Sequence, residues 1–149
     1  MKKILVVIGI LIVVIVIWQV YPTEKKRLRR DINALEQAFE NEDTAGLVGY
    51  IDPSYQEMGG LSYSEIIETI AQFFAQVDSI KVQMNGLQLS IDSVTEENIV
   101  FASCSLGLRV TARYEGERML AFGGIIKPNP VKGYFRKSGK YYMVYRAEY

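Results

Sequence analysis

Hydrophobic positions follow three successive patterns along this chain, and each predicts a different kind of element. From Ile4 to Val20 they are continuous, interrupted only by Gly9, Trp18 and Gln19. Seventeen residues are at the short end of what crosses a bilayer as a helix, with Lys3 and Tyr21 able to reach the interfaces. The fourteen Ile, Leu and Val residues favour insertion by about 4–8 kcal/mol. A cleaved export signal needs small residues in an A-x-A-like pattern, and Trp18-Gln19-Val20-Tyr21-Pro22-Thr23 has none. Residues 1–22 are therefore expected to stay attached as a single-pass membrane anchor.

The second pattern has a helical period. Leu28, Ile32, Leu35 and Phe39 fall on one face and predict an amphipathic helix over Thr23 to Glu40. Asp43 is suited to cap a shorter helix through Tyr50, which Asp52-Pro53 should end. A short strand at Ser54 to Glu57 and a Gly59-Gly60 turn follow. Ser62 and Glu65 form a capping box for a third helix, whose apolar face is Ile66, Ile67, Ile70, Phe73, Phe74 and Val77.

Beyond Asp78 the period falls to two. Every even position from Val100 to Ala112 is apolar, the signature of a long strand with one buried face. Its predecessor, Ser79 to Asp92, changes apolar parity at Asn85-Gly86. A hairpin or a bulge would each explain that, but a thirteen-residue strand needs an equally long partner, which only the bulge supplies. Arg118 to Lys127 reads as a strand bent at Gly123-Gly124, and Lys132 to Lys137 with Tyr141 to Ala147 as a hairpin turning at Ser138-Gly139. The expected class is α+β: an N-terminal transmembrane helix, then three helices packed on a curved antiparallel sheet in a domain spanning residues 23–149.

The net charge of zero conceals a division. Seven of 17 basic residues flank the apolar run, five of them between Lys25 and Arg30, where they suit contact with anionic lipid headgroups. The stretch from Asp31 onward is acidic, with a net charge of −6, which disfavours nucleic acid. No cofactor or metal is suggested: histidine is absent, which excludes His-based nucleophile systems and His-containing zinc sites. Cys104 is the only cysteine, so no intrachain disulfide can form.

The helix junction Phe39-Glu40-Asn41-Glu42-Asp43, the Ile51-Asp52-Pro53 break and the closing run Tyr134 to Val144 resemble the nuclear transport factor 2-like, cone-shaped (cystatin-like) α+β superfamily. Among its members the chain looks most like small bacterial proteins with an N-terminal membrane segment. It is also reminiscent of membrane-anchored assembly factors of type IV secretion machines. The resemblance implies a cone between sheet and helices, with Tyr50, Tyr55, Cys104, Leu106 and Phe122 as its ligand-binding residues.

No catalytic constellation is evident, because the longest strand offers the cone only aliphatic groups and Cys104. The expectation is a non-catalytic binding or assembly domain, tethered to the cell inner membrane with the domain on the periplasmic side. The short Met-Lys-Lys start favours export, although the basic residues after the helix outnumber those before it. The competing reading is a small-molecule isomerase or hydrolase using Asp52 with Tyr50 or Tyr55. Arg109, Arg113 and Arg118 read as a solvated face, with anion binding as the sharper alternative. Tyrosines crowded into the C-terminal sheet suit either cross-strand pairing or a protein partner, including self-association.

Overall fold

The computed structural model describes Ile12 and residues 23–57 and 59–149. Among the described residues no helix is long and apolar enough to cross a membrane, and the anchor expected at residues 1–22 lies outside them, Ile12 excepted.

Thr23 caps the first helix, α1 (Glu24–Glu40), accepting a hydrogen bond from the Lys26 amide at 3.3 Å. Its buried face carries Leu28, Ile32 and Ala38, and with them Asp31. Asp43 caps α2 (Thr44–Val48) by accepting from the Gly46 amide at 2.9 Å. After β1 (Ile51–Glu57), the predicted capping box opens α3 (Tyr63–Gln76). There the Glu65 carboxylate accepts from both the amide and the hydroxyl of Ser62.

Five further strands complete one sheet: β2 (Asp78–Val94), β3 (Val100–Tyr114), β4 (Glu117–Phe122), β5 (Asn129–Lys137) and β6 (Met143–Glu148). Their order is β1-β6-β5-β3-β2, with β4 on β3. The first half of β3 pairs with β5 and the second half with β4. Strand β2 runs unbroken past Asn85-Gly86, where the register shifts and Gly86 takes φ +66°, so the bulge is present and the hairpin is not. The alternation along β3 holds as well: Val100, Ala102, Cys104, Val110 and Ala112 are buried. One core cluster joins Val100, Ala102 and Cys104 to α1 and β5, and a second joins Val110 and Ala112 to Phe39, Phe73 and Phe74.

Several boundaries differ from expectation, among them the start of β5, which lies at Asn129 rather than Lys132. The short helix has already ended at Val48, and Asp52-Pro53 lies within β1, which begins at Ile51 rather than Ser54 and pairs parallel to β6, so one pairing of the sheet is not antiparallel. Proline is tolerated there because β1 is an edge strand and needs no outward donor. Strand β4 stops at Phe122 rather than Lys127. Gly123 turns the chain at φ +93°, where an added Cβ would sit 2.6 Å from the Leu108 carbonyl oxygen. The register shift of that strand falls beside Ala121 instead of at Gly123-Gly124. Finally, β6 begins at Met143, because the Tyr142 amide is drawn off the ladder to the Asp31 carboxylate at 2.8 Å.

Candidate functional site: an apolar cavity under α3

Between the helices and the concave face of the sheet lies a partly open cavity of about 300 Å³. Ile32, Leu35 and Phe39 of α1 line it from one side, and Ile66 and Ile70 of α3 from another. The floor is the even face of β3, Cys104 to Val110, with Val82 and Met84 of β2 and Phe135 of β5. Each residue reaches the cavity for the reason that predicted its element, helical spacing on α1 and α3 and twofold alternation on β3.

Polar groups are few. Tyr55 of β1 is buried on the cavity wall, and burial, with the nearby Glu57 charge, pushes its phenol up to about 12. Burial also raises the Cys104 thiol, partly offset by its contact with the Gly133 backbone, so this sulfur is held as a neutral thiol and is a poor nucleophile. Glu36 is the one lining residue with a formal charge. Burial, reinforced by the neighbouring Glu40 charge, raises its carboxyl above the ordinary range. Glu36 was absent from the residues expected from sequence, yet it was within reach. It stands four residues after Ile32 and three before Phe39, on the same stripe of α1.

Of the five expected ligand-binding residues, the structure brings three together: Tyr55, Cys104 and Leu106 line the cavity. The other two lie elsewhere. Tyr50 faces Tyr141 edge-on with ring centroids 5.7 Å apart, and Phe122 joins the second core cluster with its ring against Tyr149.

Asp52, Tyr50 and Tyr55 do not converge on the cavity as an acid–base mechanism would require. Asp52 is wholly buried, and both of its oxygens are engaged. One accepts from the amide and hydroxyl of Ser54 at 2.8 and 2.6 Å, and Arg136 donates to both at 2.8–3.0 Å. Burial alone would raise this carboxyl, but the Ser54 bonds and the Arg136 guanidinium outweigh it and hold the group below its usual range. A carboxylate so occupied is a clamp between β1 and β5 rather than a base.

Two of the three arginines singled out on the sheet are structurally engaged, while Arg113 is exposed. Arg109 donates to the carbonyls of Gly124 and Ile125 at 3.1 Å each, and Arg118 to the Thr111 hydroxyl at 2.9 Å. On the convex face the Tyr145 ring contacts both Tyr134 and Phe101, with Lys132 and Arg146 against the Tyr134 ring. Among the described residues no group of three His, Cys, Asp or Glu side chains could hold a metal ion.

No protein-family model matches the sequence, and no curated protein matches it. Solved structures do. A dehydratase, so proposed, of the nuclear transport factor 2-like family from Streptomyces avermitilis superposes with a TM-score of 0.62 at 12% identity, over 82% of this chain and 91% of its own. The fold is nuclear transport factor 2-like. Bd1075 of Bdellovibrio bacteriovorus matches at TM-score 0.63 and 17% identity over 81% of this chain. Pgp2, the helical cell shape determining protein of Campylobacter jejuni, matches at 0.62 and 12% over 85%. The chain spans only about two-fifths of those two proteins, 39% and 42%. Structures with this fold thus include proposed enzymes as well as parts of larger proteins, and at these identities the likeness carries the fold alone.

Proposed function

We propose that the chain is a membrane-tethered, non-catalytic binding domain whose cavity holds a small, neutral apolar molecule. The observation that carries this reading is the lining of the cavity: aliphatic and aromatic side chains from all three helices and five strands, with Glu36 the one formally charged residue among them. The volume is about twice that of a 150 Å³ cavity that takes benzene, which fits roughly a dozen non-hydrogen atoms. A tethered catalyst is disfavoured because Asp52 is already committed to Arg136 and Ser54.

Tethering rests on the apolar run Ile4 to Val20 and on Lys25, Lys26 and Arg29, which are exposed at the start of α1. The inner membrane with a periplasmic domain is the location that follows from the short basic start. A C-terminal reporter active only outside the cytoplasm should then give signal in intact cells; silence there places the domain inside. The convex tyrosines remain available to a protein partner.

Native mass spectrometry of the full chain released from detergent tests the cavity. Saturable 1:1 adducts with 1-decanol are expected, with decanoate binding at least tenfold more weakly because its carboxylate would approach Glu36. An Ile70→Trp chain, with the cavity filled, should lose them. Equal adducts for wild type and Ile70→Trp would overturn the reading.

A further inference from the structure

A tyrosine hydroxyl taken out of solvent ordinarily finds a hydrogen-bond partner, and an exception asks for an explanation. Two tyrosines are buried among the described residues, and they differ on this point. Tyr142, with no exposure, donates to Glu24 at 2.7 Å. Tyr55, 8% exposed, has no partner for its hydroxyl among the described residues; burial and the Glu57 charge are all that perturb the phenol. No side-chain oxygen among those residues is both sealed and unpaired, so the Tyr55 oxygen borders open space.

That space is the cavity and its rim. Tyr55 lines the cavity together with Ile51, from the same face of β1. It also borders a shallow hollow on the surface, with Ser54, Ser62 and Ser64. The residue therefore stands at the seam between β1 and the start of α3, which is closed by the pairing of Gln56 with Ser62 and by the Glu57 amide donating to the Leu61 carbonyl. Two serine hydroxyls at the seam are already spent, Ser54 on Asp52 and Ser62 on Glu65, each at 2.6 Å. On the inner side a water would find little to hold it. Glu36 and Cys104 are the only other polar side chains of the lining, and a buried water makes about three bonds.

Building on the cavity reading, we propose that the ligand is a neutral amphiphile with an oxygen acceptor at one end, of ester, ketone or alcohol type. That oxygen takes the hydrogen bond of Tyr55 at the seam, and the apolar chain lies inward over β3. A neutral phenol offers its proton, so the ligand has to supply the acceptor. Charged ends are selected against. Glu36 on the lining and Glu57 beside the phenol both repel an anion, and an ammonium group has no lone pair to give. A plain hydrocarbon would fill the cavity but leave the buried hydroxyl unpaired.

Native mass spectrometry of the full chain released from detergent compares two probes of matched size. Methyl nonanoate carries acceptors and no donor; 1-dodecene carries neither. Both should bind the wild-type chain. Tyr55→Phe deletes one oxygen and keeps the ring. It should weaken methyl nonanoate about tenfold or more, the weight of one unpaired acceptor, and leave 1-dodecene nearly unchanged. An isotope label on the ester carbonyl adds an infrared reading: its stretch in the wild-type complex should lie below that of the same ester in hexane. If Tyr55→Phe does not fold, this stretch decides alone. A stretch at the hexane position, or a folded Tyr55→Phe chain that loses the ester no more than the alkene, would overturn the proposal and leave the cavity reading standing. A wild-type chain that binds neither probe would overturn both.

Discussion

Helices α1 and α3 cover the same sheet in opposite ways. Helix α1 is rich in charge, yet it buries Leu28 and Ile32 and sends two acidic side chains across to the C-terminal hairpin. Glu24 accepts from Lys137 at 2.6 Å and from the Tyr142 hydroxyl at 2.7 Å, while Asp31 takes the Tyr142 amide and the Arg30 guanidinium. Helix α3 has the more apolar sequence, but none of its residues is fully buried. The reason is the space beneath it: Ile66 and Ile70 face a cavity where a packed helix would face side chains. Polar bonds fix one helix, and incomplete packing leaves the other free to yield. Ligand access is therefore expected at α3.

Substitutions should separate the two helices, most strongly at α1. Asp31→Ala strands the buried Tyr142 amide and should cost about 3 kcal/mol, measured by urea-dependent pulse proteolysis of the full chain. Leu28→Ala, at a side chain with no exposure, should cost a similar amount, about 3 kcal/mol. Ile70→Ala on α3 should cost only about 1 kcal/mol, since that side chain is half-exposed and already borders a void. An Ile70→Ala loss as large as that at Leu28 would mean that α3 is packed as tightly as α1.

The smallest effects are those of pH, and their signs oppose each other on a single helix. At Glu24, burial acts to raise the carboxyl, but the bonds from Lys137 and Tyr142 and the nearby positive charges leave it lowered. Its stabilisation is present above the ordinary carboxylate value of 4.5 and is lost as pH falls through the depressed folded value. Glu36 is raised, so its contribution is favourable below 4.5 and declines as pH rises through the elevated folded value. Glu24→Gln should therefore destabilise at pH 7 and matter little at pH 3, whereas Glu36→Gln should stabilise at pH 7 and be neutral at pH 3. Proteolytic stability of both variants at the two pH values checks the crossing.

Much of the floor of the cavity was legible because local rules governed it. Strict alternation from Val100 to Ala112 placed Cys104 and Leu106 inward, and Ser62-Glu65 set the start of α3. What stayed hidden depended on contacts remote in sequence. Arg136 lies 84 residues from Asp52, and their ion pair turns a helix-breaking Asp-Pro into part of an edge strand parallel to β6. Tyr142 lies 111 residues from Asp31, and nothing local marks that acid as buried. Tyr50 was misjudged for the same reason, since its partner Tyr141 comes from the far end of the chain. Periodicity assigns a face, but it cannot say which charged residues on that face will find partners.

Cys104 provides the most direct measurement of the central claim, that the space under α3 is an apolar binding site. It is the only cysteine in the chain, it lines the cavity, and it is 5% exposed. Labelling the full chain with a small thiol reagent at pH 9, followed by mass spectrometry, reports access to that space. Slow labelling is expected, accelerated severalfold in Ile70→Ala and suppressed at least tenfold by saturating 1-decanol. Labelling as fast as that of an exposed cysteine, or unchanged by decanol in both chains, would contradict the claim.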